Sequence, residues 1–361
     1  MSLVCQAIGE PKPTITWRKA VGQLSQARSQ VINGNLTILN VTRADGGDYI
    51  CSAKNLLNKD SAVAQVTVVD ELRFVLLPPH RLFAAAFKNV KLNCEAEGAA
   101  EIVWKRSGQP IQQNHVLYAN GTILLKDVSL NSAGTYTCIA KNFFRSIRAN
   151  TALQVWIPVS CSDIISSVTD SLSDTYMIDP DGKGAVTPFS VYCDMRDKNR
   201  VGVTVIGHDS ESRTHVANIP GCGGNGCYSK DVRYTGVSTA QLAALTRVSR
   251  NCEQFIKFEC NNEVAFIEDS YAWWVSRDGT RMNYWGGATG HDKMCACGVT
   301  NSCTGGPKCN CDNIGSGWYE DSGLLTDKSA LPVTQIRLGD LDHENEEGYH
   351  TLGKLRCYGQ A

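Results

Sequence analysis

Asp45-Gly46-Gly47-Asp48-Tyr49-Ile50-Cys51 runs on into Ser52-Ala53-Lys54-Asn55, and Cys51 to Asn55 has a counterpart in Cys138-Ile139-Ala140-Lys141-Asn142, a constant 87 positions later. Working outward, Trp17 recurs as Trp104 at the same offset, and Cys5 recurs as Cys94 at 89. Two landmarks at one offset and a third within two residues of it mean two copies of a unit of fewer than 100 residues. Each copy reads as short strands separated by Gly and Pro turns. In the first they are 3–7, 14–19, 35–41, 48–54 and 62–69; in the second, 89–94, 102–105, 122–128, 135–140 and 151–156, with a further first strand at about 73–77. Apolar and polar residues alternate along them, so the expectation is an antiparallel sandwich in each copy.

The Cys…Trp…Cys order with D-x-G-x-Y-x-C resembles the immunoglobulin domain, of the intermediate type. The resemblance implies a Cys5–Cys51 bridge packed on Trp17, and a tyrosine corner at Tyr49. Cys94, Trp104, Gly134, Tyr136 and Cys138 match in the second copy, where Ser132 replaces the signature Asp. Closing the loop from Cys5 to Cys51 stabilises the fold by roughly 4 kcal/mol on the chain-entropy model. The first copy lacks an initial strand, which leaves a sheet edge open.

Past residue 158 the composition changes: of 16 Cys, 12 lie beyond it. Cys161-Ser162-Asp163-Ile164, Tyr176 to Gly182, and Pro188-Phe189-Ser190-Val191-Tyr192-Cys193-Asp194-Met195 resemble the opening of a fibrinogen-like domain, which implies a Cys161–Cys193 bridge. Cys252-Glu253-Gln254, Trp273-Trp274, Tyr284-Trp285-Gly286-Gly287 and Leu355-Arg356-Cys357-Tyr358-Gly359 narrow the resemblance to the fibrinogen-like segment of contactin-associated and neurexin-type receptors. The expected architecture is mainly β and multidomain: immunoglobulin β-sandwiches over 1–70 and 71–157, then a disulfide-rich α+β fibrinogen-like domain over 158–361. Residues 241–249 are the best helix candidate.

Spacing suggests local pairs for Cys222 with Cys227 and Cys252 with Cys260. Cys295, Cys297, Cys303, Cys309, Cys311 and Cys357 keep 15 pairings open. The C-x-C spacing is not that of structural zinc. Asp340 and Asp342 alternate on an acidic loop and offer calcium oxygen ligands, but a solvated loop is the simpler reading, so no cofactor is expected. Gly221 to Cys227 lacks the Lys-Ser/Thr of a phosphate loop. Tyr271, Trp273, Trp274, Tyr284, Trp285, Trp318 and Tyr319 read as core rather than as a glycan platform. N-x-S/T acceptors stand at Asn35, Asn40 and Asn120, the first two on one expected strand.

Lys plus Arg number 35 and Asp plus Glu 36, a net charge of −1, so no basic excess is present for nucleic acid. Hydrophobic residues at 42% exclude wholesale disorder. No 18-residue apolar run spans a bilayer. Neither an H-E-x-x-H nor a G-x-S-x-G appears, and no enzyme is expected. So many Cys point to an oxidising compartment. Met1-Ser2-Leu3-Val4-Cys5 shows no signal peptide, so we expect a piece of a longer secreted or extracellular glycoprotein. The expected role is adhesion or matrix, with cell-surface or matrix proteins or glycans as partners. The alternatives are a fibrinogen-related immune lectin and the ectodomain of a membrane receptor.

Overall fold

The computed structural model describes residues 1–261, 264–313 and 317–361. In the first copy, strands Ser2–Leu3, Asn35–Ile38 and Ser29–Ile32 form one sheet, and Thr14–Lys19, Gly47–Lys54 and Lys59–Val66 the other. Leu36, Ile38 and Tyr49 are buried between them, with Trp17 packed alongside. Cys5 is bonded to Cys51 across the gap. In the second copy, Glu101–Arg106, Gly134–Lys141 and Ser146–Trp156 face His115–Leu117, Ile123–Leu125 and Val90–Leu92, and Cys94 is bonded to Cys138.

The repeat extends to details that periodicity does not reveal. Trp17 Nε1 donates to the Gly34 carbonyl and Trp104 Nε1 to that of Gly121, both at 2.8 Å. Both glycines have left-handed backbone, φ +83° and +92°, and a Cβ at either would lie 2.7 Å from the carbonyl of the first Cys of its own copy. Only glycine satisfies both demands. Tyr49 donates to the Asp45 carbonyl at 2.7 Å and Tyr136 to that of Ser132 at 2.9 Å, so both copies have the tyrosine corner. Its ionic support differs. Arg28 grips the Asp45 carboxylate with two bonds of 2.9 Å, which holds that carboxyl well below the ordinary range. At Ser132 the hydroxyl instead accepts from the Ser129 amide.

The expected first strand of the second copy divides in two. Arg73–Leu76 pairs with Glu95–Glu97, and Arg81–Ala85 runs parallel to Ser146–Trp156. The Pro78-Pro79 step, which supplies no amide donors, lies between them. The matching edge of Lys59–Val66 in the first copy has no partner strand among the described residues.

The C-terminal region is built on the thirteen-residue strand Ser249–Asn261, the central strand below. It pairs with Leu355–Gln360 and Glu347–Leu352 in nearly continuous register, and with Trp318–Leu325. Val203–Ile206, Phe189–Asp194 and Asp174–Ile178 extend the sheet beyond Leu355–Gln360, and Thr214–Ala217 beyond Glu347–Leu352. A second sheet orders Tyr228–Asp231, Gln335–Leu338, Trp273–Val275 and Arg281–Met282. The anticipated helix is Thr239–Val248, begun by a Ser238/Gln241 capping box. Trp274, Trp285, Phe258 and Phe266 fill the core.

This region is joined to the preceding sandwich by more than the chain. Ala85 packs into the C-terminal core. Lys88 bonds to Asp174 at 2.6 Å and lies 3.9 Å from the centre of the Tyr176 ring. Trp156 Nε1 reaches the Asp163 carboxylate at 3.3 Å.

All sixteen cysteines are paired. Cys161 is bonded to Cys193 and Cys222 to Cys227. The local Cys252–Cys260 pair is wrong: Cys252 joins Cys357 and Cys260 joins Cys311. Both sit on the central strand, eight residues and roughly 26 Å apart at about 3.3 Å per residue, whereas a bridge needs Cα atoms within about 7 Å. The remaining bonds are Cys295–Cys309 and Cys297–Cys303.

Candidate functional site

The central strand alternates strictly near its end: Ile256, Phe258 and Cys260 are buried, while Phe255, Lys257, Glu259 and Asn261 face outward. Its partners bring their own outward residues into register. Glu259 lies opposite Tyr349 on one side and Glu320 on the other; Asn261 lies opposite Glu347 and Trp318; Tyr349 lies opposite His215. Four strands, distant in sequence, thus place a polar and aromatic cluster on one outward face.

The cluster is internally fixed. Arg213 donates to both Glu259 oxygens, at 2.8 and 3.2 Å, and its guanidinium carbon lies 3.3 Å from the Tyr349 ring centre. The fork matches a carboxylate and the plane stacks on a ring. Arg213 is the main reason the Glu259 carboxyl is held below its ordinary value. His215 stacks on Tyr349 at 4.5 Å and meets Glu347 at 2.8 Å; Asn261 donates to the same carboxylate at 3.2 Å. Lys257 meets Glu320 at 2.6 Å. Trp318 lies 5.6 Å from Tyr349 and is 50% exposed. Arg213, Glu259, Trp318, Tyr319 and Glu320 line a shallow depression of about 350 Å³.

The aromatics therefore divide. Trp274, Tyr284 and Trp285 are core, and burial pushes the Tyr284 hydroxyl up to about 12. Trp318, read as core, is on the surface: it occupies an outward position of its strand, where the partner across the ladder is Asn261.

Two carboxyls titrate unusually without forming a reactive site. Burial pushes Asp321 and Asp312 up to about 6 each. Asp321 accepts the amides of Asn310 and Cys311, and Asp312 those of Phe266 and Glu268. These bonds tie the disulfide-rich 295–312 segment to the sheet. His350 is buried, donates to or accepts from the Tyr228 hydroxyl at 2.9 Å, and burial pushes it down to about 4. The carboxyls of Asp179 and Asp181 face one another, each with a buried oxygen that has no protein partner.

On the acidic loop, the Asp340 carboxylate accepts the Ala265 amide at 2.7 Å. Asp342 instead gathers with His343 and Glu346, donor atoms within 4.8 Å, and Glu346 is bonded to the Asp342 and His343 amides. The two alternating acids thus have different neighbours. Of the glycosylation acceptors, Asn35 is half-buried on its strand, while Asn40 and Asn120 are exposed. The strand ends at Ile38, and Asn40 turns away with φ +47°; the expectation that Asn35 and Asn40 share a strand is corrected. Glycine and Pro punctuation marks turns well, but an Asn in left-handed backbone ends a strand silently.

Comparison with known proteins finds matches to parts of the chain. Residues 1–55 and 75–142 match the immunoglobulin domain, and residues 145–272 match the family described as fibrillar collagen C-terminal domain. Contactin-associated protein 1 of Mus musculus is 38% identical over 191 residues, 52% of this chain and 13% of that protein. Neurexin-4 of Drosophila melanogaster is 33% identical over 192 residues, 50% of this chain and 15% of that protein. The chain thus spans about one seventh of the length of these curated relatives. Domains 3–5 of Drosophila OTK align with a TM-score of 0.39 at 23% identity, covering 43% of this chain and 56% of that one. The insect immune protein hemolin aligns at 0.34 and 20%, covering 43% and 42%. Parts of the chain thus match the immunoglobulin domain and the fibrillar collagen C-terminal domain, and about half of it is similar to contactin-associated protein 1 and neurexin-4.

Proposed function

We propose that this chain is a non-enzymatic extracellular adhesion or matrix protein. Its modules are 1–70, 71–157 and 158–361, the first two acting as spacers and contact surfaces and the third as the binding head. One observation carries the reading: the outward face of the C-terminal sheet holds a fixed cluster of Arg213, His215, Glu259, Trp318 and Tyr349, of which Arg213, His215 and Trp318 are exposed. Side chains locked by mutual bonds lose little freedom on binding, which favours recognition. Eight disulfides suit an oxidising compartment, and exposed Asn40 and Asn120 suit glycan attachment. No helix among the described residues is long and apolar enough to cross a membrane. The names of the similar proteins, contactin-associated and neurexin, support surface partners. The proposed partners are cell-surface or matrix proteins and glycans, engaged without a cofactor, by several modules at once.

The test is attachment. Beads coated with the chain are expected to bind cultured cell monolayers or their deposited matrix saturably, and to lose that binding after reduction and alkylation of the chain. Attachment no greater than that of albumin-coated beads to both surfaces overturns the proposal.

A further inference from the structure

We infer that the depression beside Trp318 binds a neutral pyranose ring of a glycan; this rests on the reading of the sheet face as a contact surface and names its ligand class.

Charge decides first. The groups around the depression are Arg213 and Lys257 against Glu259, Glu320 and Glu347, with His215 on Glu347. Both cations are already engaged by carboxylates, so no free positive centre is offered to a sulfate, phosphate or carboxylate ligand. A cationic ligand meets the opposite difficulty. The Tyr349 ring is already covered by the Arg213 guanidinium at 3.3 Å and stacked with His215 at 4.5 Å, so that ring is closed to a second cation, and a cation over Trp318 would meet the Arg213 charge in the same depression.

What remains open is Trp318, half exposed, with paired donors and acceptors around it. A sugar ring has one apolar C–H face and a rim of hydroxyls that both donate and accept. The indole supplies a flat apolar platform, and Glu259, Glu320 and the Arg213 N–H groups supply acceptors and donors. The depression of about 350 Å³ falls at the small end of the range of about 300–1,000 Å³ for small-molecule sites, enough for one ring or two. It is shallow, so a single site is weak, on the order of millimolar, and useful affinity comes from several sites engaged together.

Period-2 alternation is the reason the site exists. Trp318 points away from a core that its neighbours Tyr319 and Asp321 enter.

The test uses the intact chain, in EDTA, on agarose columns bearing methyl glycosides of mannose, galactose and N-acetylglucosamine, with tryptophan fluorescence as the second readout. At least one neutral sugar is expected to retard the chain and shift its fluorescence. Trp318→Ala is expected to weaken binding roughly tenfold and Trp318→Phe less, with near-UV circular dichroism unchanged. Equal binding by Trp318→Ala overturns the inference. So does failure of all three neutral sugars, or binding confined to sulfated or sialylated probes that salt removes. Bead attachment that persists when every sugar fails leaves the adhesion reading standing and removes only the glycan.

Discussion

Replacing Cys252 and Cys357 together with Ser is expected to destabilise the C-terminal region by about 4.7 kcal/mol, because the bond closes a span of 105 residues. For a region of roughly 200 residues, this lowers the melting midpoint by roughly 10 °C or more. The matching Cys222/Cys227 double substitution opens a span of only 5 residues, and the same relation gives about 2 kcal/mol. The bond also joins residues directly opposite on neighbouring strands, Cys252 facing Cys357. Losing it leaves the ladder hydrogen bonds to hold the central strand against the strand that leads to Val203–Ile206 and the outer half of the sheet. Calorimetric melts of the two double variants beside the parent decide the matter; equal losses would contradict the loop-entropy account.

Trp285→Ala is the second large effect, expected at about 3–5 kcal/mol. The indole is completely buried. Its ring meets Phe266 edge-to-face at 5.0 Å, and Phe266 stacks on Phe258 of the central strand at 5.0 Å. Its Nε1 donates to the Asp321 carbonyl at 3.2 Å, so truncation leaves a cavity and a buried acceptor without its donor. Next to it, Gly286 approaches the Gly323 backbone so closely that a Cβ would lie 2.4 Å from the Gly323 carbonyl oxygen, which limits how far the backbone can collapse into the space. Trp318→Ala, on the strand that carries Asp321 but at the surface, is expected within about 0.5 kcal/mol of the parent. Urea unfolding followed by circular dichroism separates the two; similar midpoints for both variants would sink the assignment of Trp285 to the core and Trp318 to the face.

What the sequence made legible was local or repeated. The 87-residue offset marked both sandwiches, since Tyr49, Tyr136, Trp17 and Trp104 are each fixed by bonds to residues a few or seventeen positions away. The helix candidate at 241–249 overlaps the helix Thr239–Val248, although its Ser238/Gln241 capping box was not read from the sequence. What escaped was long-range. Arg213, Glu259, Trp318 and Tyr349 come together only because strands separated by up to 136 residues lie side by side, and no single segment records that pairing. Part of it was nevertheless readable: Phe255-Ile256-Lys257-Phe258-Glu259-Cys260-Asn261 alternates, and the alternation alone would have placed Glu259 outward and Cys260 inward. Extended back to Cys252, the same run is a strand too long to bend Cys252 onto Cys260. Loop-based reasoning favoured neighbours in sequence, whereas a sheet favours neighbours across the ladder.

The account depends above all on sulfurs cross-linked across the sheets, and peptide mapping under non-reducing conditions, after alkylation of the denatured chain, addresses that directly. It predicts no alkylated cysteine before reduction, with linked peptides joining Cys252 to Cys357 and Cys260 to Cys311. A peptide joining Cys252 to Cys260, or a majority of cysteines alkylated before reduction, would contradict it.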